Sequence, residues 1–438
     1  MKKGLRPLHL ATAIVWSVGS ANALASGFQL IEQNSSGLGA AYAGSAAVAE
    51  NASTVFFNPA GMTRLSGLNL SAGATAVKPS FKFSNEGSTG PGGGPLGSNN
   101  GGDAGSIAVL PNAYASWQID SNWFAGLGIG APFGLKTDYD RDWVGRYHST
   151  HFAVETINVN PSVAYRVNDR LSLGAGVNWQ SIDADYRRNV PAAGLIAQLP
   201  GGMSSPFAGT VANSPDLNGK VKLKGDAWGW NVGLLYQMTP DTRLGLAYRS
   251  SMRFHATGTT TLLNLPLGQP SRSDGASTTV TLPDTATLSV AHDINSKWQL
   301  LADVSWTGWS SISSLDIDSG SLGKDSLKLD FRDTWRVALG ASYKYSPKWR
   351  FKAGVAYDQT PVPSGSLRPT SLPDNDRVWL SVGAQYNMNE RSTIDIGYAR
   401  LLLQAPSIDN GSAAAKGRVT GKYDASIDLL GVQLSHRF

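Results

Sequence analysis

Beyond residue 66 the chain alternates apolar and polar positions in one segment after another. Trp349, Phe351, Ala353, Val355 and Tyr357 alternate with Arg350, Lys352, Gly354, Ala356 and Asp358. Trp335, Val337, Leu339, Ala341 and Tyr343 repeat the pattern, as do Val378 to Tyr386, Leu171 to Trp179 and Trp228 to Tyr236. A period of two places alternate side chains on opposite faces of a strand. Aromatic residues stand at the ends of many apolar rows, where a membrane-interface girdle belongs. The pattern therefore predicts an all-β transmembrane barrel rather than a soluble sandwich. Six short polar turns punctuate the segments, near Ile119–Asn122, Val167–Arg170, Thr239–Thr242, Ile294–Lys297, Ser346–Lys348 and Asn387–Glu390. Asn and Asp tolerate left-handed backbone there, and Pro presets φ. Between them fall longer loops near 85–105, 134–152, 188–217, 261–278, 317–327, 360–374 and 405–416. Such alternation of short inner and long outer connections predicts about fourteen antiparallel strands with both ends inside.

One stretch breaks the pattern. Ser26 to Leu65 is rich in Gly, Ala and Ser, does not alternate, and carries only Glu32, Glu50 and Arg64 as charges. A free polar tail would be poor in apolar residues, yet this stretch holds Phe28, Leu30, Ile31, Leu38, Tyr42, Val48, Val55, Phe56 and Phe57. Those side chains need burial. The expectation is a small helical or irregular hatch, residues 26–66, plugging the lumen of a barrel formed by residues 67–438.

Composition places the chain. Met1-Lys2-Lys3-Gly4-Leu5-Arg6, an apolar run from Leu8 to Val18 and Ala23-Leu24-Ala25 read as a secretory signal peptide over residues 1–25. Its removal takes three bases and no acids, so the net charge falls from +5 to +2. A near-neutral mature chain argues against a nucleic-acid partner. There is no cysteine, hence no disulfide framework or thiol chemistry. No later run is long and apolar enough for a transmembrane helix. Export, 49 glycines and frequent aromatics suit the bacterial outer membrane. The terminal Phe438, closing the row Leu430, Val432, Leu434, agrees with insertion there.

Several motifs resemble the FadL family of outer-membrane long-chain fatty acid transporters, over essentially the whole mature chain. They are Gly27-Phe28-Gln29-Leu30, Ser35-Ser36-Gly37-Leu38-Gly39, Asn58-Pro59-Ala60, Gly225 to Asn231, Tyr248-Arg249-Ser250, Phe331 to Arg336, and Tyr357 to Pro363 followed by Pro373 to Arg377. The resemblance implies a fourteen-stranded barrel with an N-terminal hatch, apolar capture among outer loops, a tighter lumen pocket, and a sideways exit through a kinked third strand. On this chain that strand is Trp123 to Leu135, with Gly126, Gly128, Gly130, Pro132 and Gly134. Pro removes a ladder donor and Gly permits bulges, so a break in the wall is expected. The resemblance places ligand-binding bases on Arg332 and on Arg188, or Arg187, and directs the Phe28 ring into the pocket. A cation there would hold a carboxylate; the plainer reading is that these arginines balance lumen acids such as Asp183, Asp185 and Asp333. Asn58, Pro59 and Ala60 read as a rigid hatch turn.

His148 and His151, near Asp142 and Glu155, suggest a metal or Asp-His pair only weakly, without helical zinc-site spacing. No Ser stands in a nucleophile elbow. The expectation is a non-enzyme without metal or cofactor, a monomer in contact with outer-membrane lipid and lipopolysaccharide, that takes up a long-chain fatty acid or similar hydrophobic ligand. Two alternatives stand beside it: the same architecture importing a neutral compound such as an aromatic hydrocarbon, and an adhesin or phage receptor without transport.

Overall fold

The computed structural model describes residues 27–198, 201–411 and 414–438; the expected signal peptide lies outside them. It is a closed antiparallel barrel of fourteen strands. In chain order these are β1 (Leu68–Asn85), β2 (Ala108–Gln118), β3 (Trp123–Gly130, resuming at Gly134–Asp138), β4 (His151–Arg166) and β5 (Leu171–Val190). Then come β6 (Leu217–Thr239), β7 (Thr242–Arg249 and Met252–Leu263), β8 (Arg272–Leu282 and Thr285–Asp293) and β9 (Trp298–Thr307 and Ser314–Asp318). The rest are β10 (Lys324–Lys328 and Thr334–Lys344), β11 (Trp349–Asp358), β12 (Arg377–Asn387), β13 (Ser392–Leu403) and β14 (Val419–Arg437). Each strand pairs with its sequence neighbours, and β14 closes the ring on β1 from Asn69↔Arg437 to Asn85↔Gly421. Closure leaves no free edge strand in the ring, although the β2–β3 ladder is incomplete.

The alternating rows face outward as predicted. Trp228, Trp335, Leu339 and Val382 are all more than half exposed, a lipid-facing surface with water excluded by the bilayer. Interfacial rings pair across strands at the inner rim: Trp123 with Tyr165 at 4.7 Å, Trp298 with Tyr343 at 4.5 Å, and Trp349 with Tyr386 at 4.7 Å. Among the described residues no helix is long and apolar enough to cross a membrane.

Two features differ from the sequence expectation. Strands β5 and β6 run for 20 and 23 residues, about twice the length a bilayer requires. Their outer halves carry Asp183, Asp185, Lys222 and Lys224, which form ion pairs across the two strands. The strands end at Val190 and resume at Leu217, close to the loop expected at 188–217; it is Asp183 and Asp185, expected as lumen acids, that face outward instead, where charge suits water above the membrane. The loop expected at 261–278 is shorter than read, because β7 reaches Leu263 and β8 begins at Arg272. The second difference is a set of interruptions beyond the third strand, at Ser250–Ser251 in β7 and Pro283–Asp284 in β8.

Residues 27–66 fold into the lumen as short helical turns: Leu38–Ala40, Ser45–Val48, Thr54–Phe57 and Pro59–Arg64. Leu38, Tyr42, Ala47, Val55 and Met62 are fully buried. The apolar residues that ruled out a free tail thus pack against the inner half of the wall.

Candidate functional site

The inner half of the lumen is filled by this segment, and the wall is shaped to receive it. Gly233 and Gly245 face it so closely that a Cβ would stand 1.9 Å from Asn58 Oδ1 and 2.0 Å from the Ala46 carbonyl. Short helices leave carbonyls without intrahelical partners, and arginines of the wall satisfy them. Arg243 donates to the Ala47 carbonyl and, at 3.2 Å, to that of Val48. Arg249 donates to the Phe56 carbonyl at 3.1 Å, and Arg336 to that of Ala41 at 2.6 Å. Lys352 donates to the Ser36 carbonyl at 2.9 Å and pairs with Glu50. Glu32 is buried among these groups; burial pushes its carboxyl up to about 7 against the pull of Arg377 and Arg336.

Asn58 is fully buried. Its amide donates to the carbonyls of Ala46 at 2.7 Å and Leu234 at 3.0 Å, while its Oδ1 accepts the Ala60 N–H at 3.1 Å. Pro59 then opens the next helical turn, where a missing N–H costs nothing. The Asn58-Pro59-Ala60 turn therefore ties two hatch helices to β6. Asn58→Ala is expected to destabilise the seated segment by about 2–3 kcal/mol, read as faster proteolytic nicking within residues 27–66 while the barrel stays resistant.

Above the segment lies an apolar cavity enclosing ≈ 910 Å³ of space counted to its open mouth. Leu135, Phe152, Ile182, Leu223, Leu282 and Leu329 line it, with Phe28 projecting from the segment and Leu372 from an outer loop. Its apolar character suits a hydrophobic ligand. Phe28 meets Trp309 edge-on at 4.9 Å, and Phe133 stands 5.9 Å from Phe28 and 6.2 Å from Trp309.

The predicted bases sit at the cavity's margins. Arg188 shares the inward face of β5 with Tyr186, which lines the cavity, and pairs with Asp325 at 3.3 Å. Arg187 faces outward and is bound in a fork by Asp185 at 2.8 and 2.9 Å. Arg332 follows the cavity residue Phe331; its Nε donates to the Thr360 carbonyl at 3.2 Å, and it approaches Asp376 at 3.8 Å. Neither Arg188 nor Arg332 is among the lining residues. His148 and His151 part company: His148 contacts the Gly417 carbonyl at 3.2 Å, His151 contacts Asp138 at 3.3 Å, and burial pushes the His148 imidazole down to about 4.

The third strand is interrupted at Ala131-Pro132-Phe133. Gly130 pairs with Asn158 and Gly134 with Glu155, so three residues of β3 face two of β4, a bulge. On the other side, the ladder to β2 stops at Ala113↔Ile129. Ala108 to Asn112 of β2 therefore have no partner on β3, and the next link upward is the Asp138 N–H to the Ala104 carbonyl at 3.0 Å. Gly126, Gly128 and Gly130 lie below the gap in the paired part of β3; Pro132 and Gly134 border it. The gap is covered from within by residues 28–33. Leu30 N–H donates to the Pro132 carbonyl at 2.8 Å, Gly134 N–H to that of Phe28 at 2.9 Å, and the Gln33 amide to that of Ala131 at 2.7 Å.

Sequence reasoning missed Trp309, Phe133 and Arg249 as parts of the lumen. The Tyr248-Arg249-Ser250 motif was a signal for the last, without indicating its role.

A lipid-facing barrel with a packed inner half, a greasy chamber above it and a gap in its side is an outer-membrane transport barrel. The chain belongs to the family described as outer membrane protein transport protein (OMPP1/FadL/TodX), whose model matches residues 16–438. It is 33% identical over 425 residues to the long-chain fatty acid transport protein of Escherichia coli strain K12, covering 92% of this chain and 93% of that one. It is 34% identical over 430 residues to outer membrane protein P1 of Haemophilus influenzae, covering 92% and 90%. The crystal structure of a Pseudomonas aeruginosa FadL homologue superposes with a TM-score of 0.84 at 28% identity, covering 94% of this chain and 100% of that one. The protein resides in the outer membrane, in a family of transporters rather than enzymes.

Proposed function

We propose that this chain takes up long-chain fatty acids by ligand-gated diffusion, with release sideways through the gap in β3. One observation carries the reading: Phe28 lines the apolar cavity, and the backbone of Phe28 and Leu30 is hydrogen-bonded to Gly134 and Pro132 at the break in β3. A ligand that fills the cavity displaces the Phe28 ring, and the same backbone that holds the ring also covers the exit. Residues 26–66 act as the hatch and residues 67–438 as the barrel. Arg188 and Arg332, at the cavity's outer margin, receive the carboxylate in exchange for Asp325 and Asp376. The protein works as a monomer surrounded by outer-membrane lipid and lipopolysaccharide, without a cofactor.

A neutral ligand is the second reading. It is favoured by the absence of any charged residue from the cavity lining among the described residues and by the carboxylates already facing both arginines. Uptake of radiolabelled oleate by a deletion strain carrying wild-type or Arg188→Gln/Arg332→Gln protein separates the two. The fatty-acid reading expects wild-type uptake and about a tenfold loss in the double variant, the worth of a charge-assisted contact. Undiminished uptake by the variant contradicts carboxylate binding by these residues. No uptake by the wild type contradicts fatty-acid transport and leaves the neutral-ligand and adhesin readings.

A further inference from the structure

At the inner mouth of the barrel, beneath the seated hatch, lies a polar recess of ≈ 920 Å³ counted to its open side. It is built from the ends of β2, β4, β6 and β7, the β4–β5 turn, and the end of the hatch at Thr63 to Ser66. Arg64, Arg166, Arg170 and Arg243 line it against a single acid, Asp169, among the described residues.

These four charges are not paired. Elsewhere in the lumen the buried bases have acids: Arg336 faces Asp303 at 3.5 Å, Lys352 pairs with Glu50, and Arg377 holds Asp374 at 2.9 Å. Here the partners are neutral. Arg64 donates to the Gln237 side-chain oxygen at 3.3 Å. Arg166 donates to the carbonyls of Ser121 and Thr63, and Arg243 to those of Ala47 and Val48. The Arg170 guanidinium makes no hydrogen bond or ion pair among the described residues. Arg64 stands near enough to Arg166 and Arg243 for their charges to repel, and Asp293 offsets this only from beyond ion-pair reach. Like charges gathered in a partly sheltered recess cost free energy and focus the field on an anion entering it. A planar monocarboxylate fills one guanidinium fork, whereas a phosphate dianion presents oxygens on every side to several.

We propose that this recess binds a phosphate-type dianion, which ties the last turn of the hatch, through Arg64, to the wall at Arg166, Arg170 and Arg243. The anion fastens the hatch at its inner end and leaves the opposite end, at Phe28 to Gln33, free to respond to cargo. The site lies on the far side of the hatch from the apolar cavity and does not depend on the nature of the cargo.

Titration calorimetry of the purified barrel with inorganic phosphate, against chloride at matched ionic strength, tests the site, and hydrogen exchange at Gly61 to Leu65 tests the tether. The wild type is expected to bind phosphate in preference to chloride and to exchange these amides more slowly when it is bound. Arg170→Gln removes a side chain that bonds to nothing in the protein, so the fold is expected to survive, while phosphate affinity falls about tenfold. Arg64→Gln should weaken binding similarly and abolish the slowing of exchange. Slower exchange given by phosphatidic acid in nanodiscs but not by inorganic phosphate, and lost in Arg170→Gln, supports the site with a lipid headgroup as the source of the dianion. Absence of any preference for phosphate over chloride, with no effect of phosphatidic acid, overturns the site. Phosphate binding that both variants leave unchanged overturns it as well, and binding without slower exchange in the wild type overturns the tether.

Discussion

Deleting Pro132 is expected to abolish uptake while leaving an assembled barrel. Three residues of β3 now face two of β4 between Gly130↔Asn158 and Gly134↔Glu155. Removing one equalises the count and lets β3 run on in register. Pro132 is also the residue without an N–H to offer a ladder. The repaired strand can then extend its pairing along Ala108 to Asn112 of β2, which lack a partner on β3. Because the change adds hydrogen bonds, the barrel should fold and resist heating in detergent at least as well as the wild type. Oleate uptake should fall by about tenfold or more, since alternative passage of the carboxylate through a hydrocarbon wall is costly. Uptake at the wild-type rate in an assembled deletion variant would remove the wall gap from the pathway.

The second large effect is expected from Gly233→Val combined with Gly245→Val. A Cβ at either site overlaps the seated hatch, at Asn58 and at the Ala46 carbonyl. The second contact is with backbone, which cannot rotate away. Valine is otherwise well suited to a strand interior, so the strain falls on the plug rather than on the barrel. The hatch should leave its seat. Single-channel recordings in planar bilayers should then show a stable open pore where the wild type conducts little, and cells should become sensitive to large polar antibiotics. Wild-type conductance and resistance in the variant would mean that residues 27–66 do not close the lumen.

The fold was legible because alternation and turn chemistry are local. Trp349, Phe351, Val355 and Tyr357 announce their lipid face by period alone, and Asn168 or Pro240 mark turns within a few residues. The count of strands followed from the alternation of short and long connections. The ends of β5 and β6 were legible, falling close to the loop expected at 188–217, but the outward facing of Asp183 and Asp185 was not, since acids on a barrel strand read as lumen-facing until the wall is seen to stand above the membrane. The break in β3 could be read from Pro132 and its glycines. The residues that cover it could not, because the bonds from Leu30 and Gln33 to Pro132 and Ala131 span about a hundred positions of chain. The site was legible in part. Phe28 was singled out through its motif and lines the cavity. Arg188 and Arg332 were singled out likewise, but no local pattern could reveal that Asp325 and Asp376 face them. Arg249 was passed over for the converse reason: a missing acid partner is a property of three-dimensional neighbours.

The central claim is sideways release, and trapping the ligand as it leaves tests it most directly. Val109 of β2 faces outward beside the gap, 46% exposed, whereas Asn168 stands at the inner mouth in the β4–β5 turn. A photoreactive amino acid placed at each position, in cells supplied from outside with radiolabelled oleate, reports which way the ligand passes. The account predicts cross-linked oleate at Val109, none at Asn168, and loss of the Val109 product when Pro132 is deleted. Cross-linking at Asn168 with none at Val109 would contradict it.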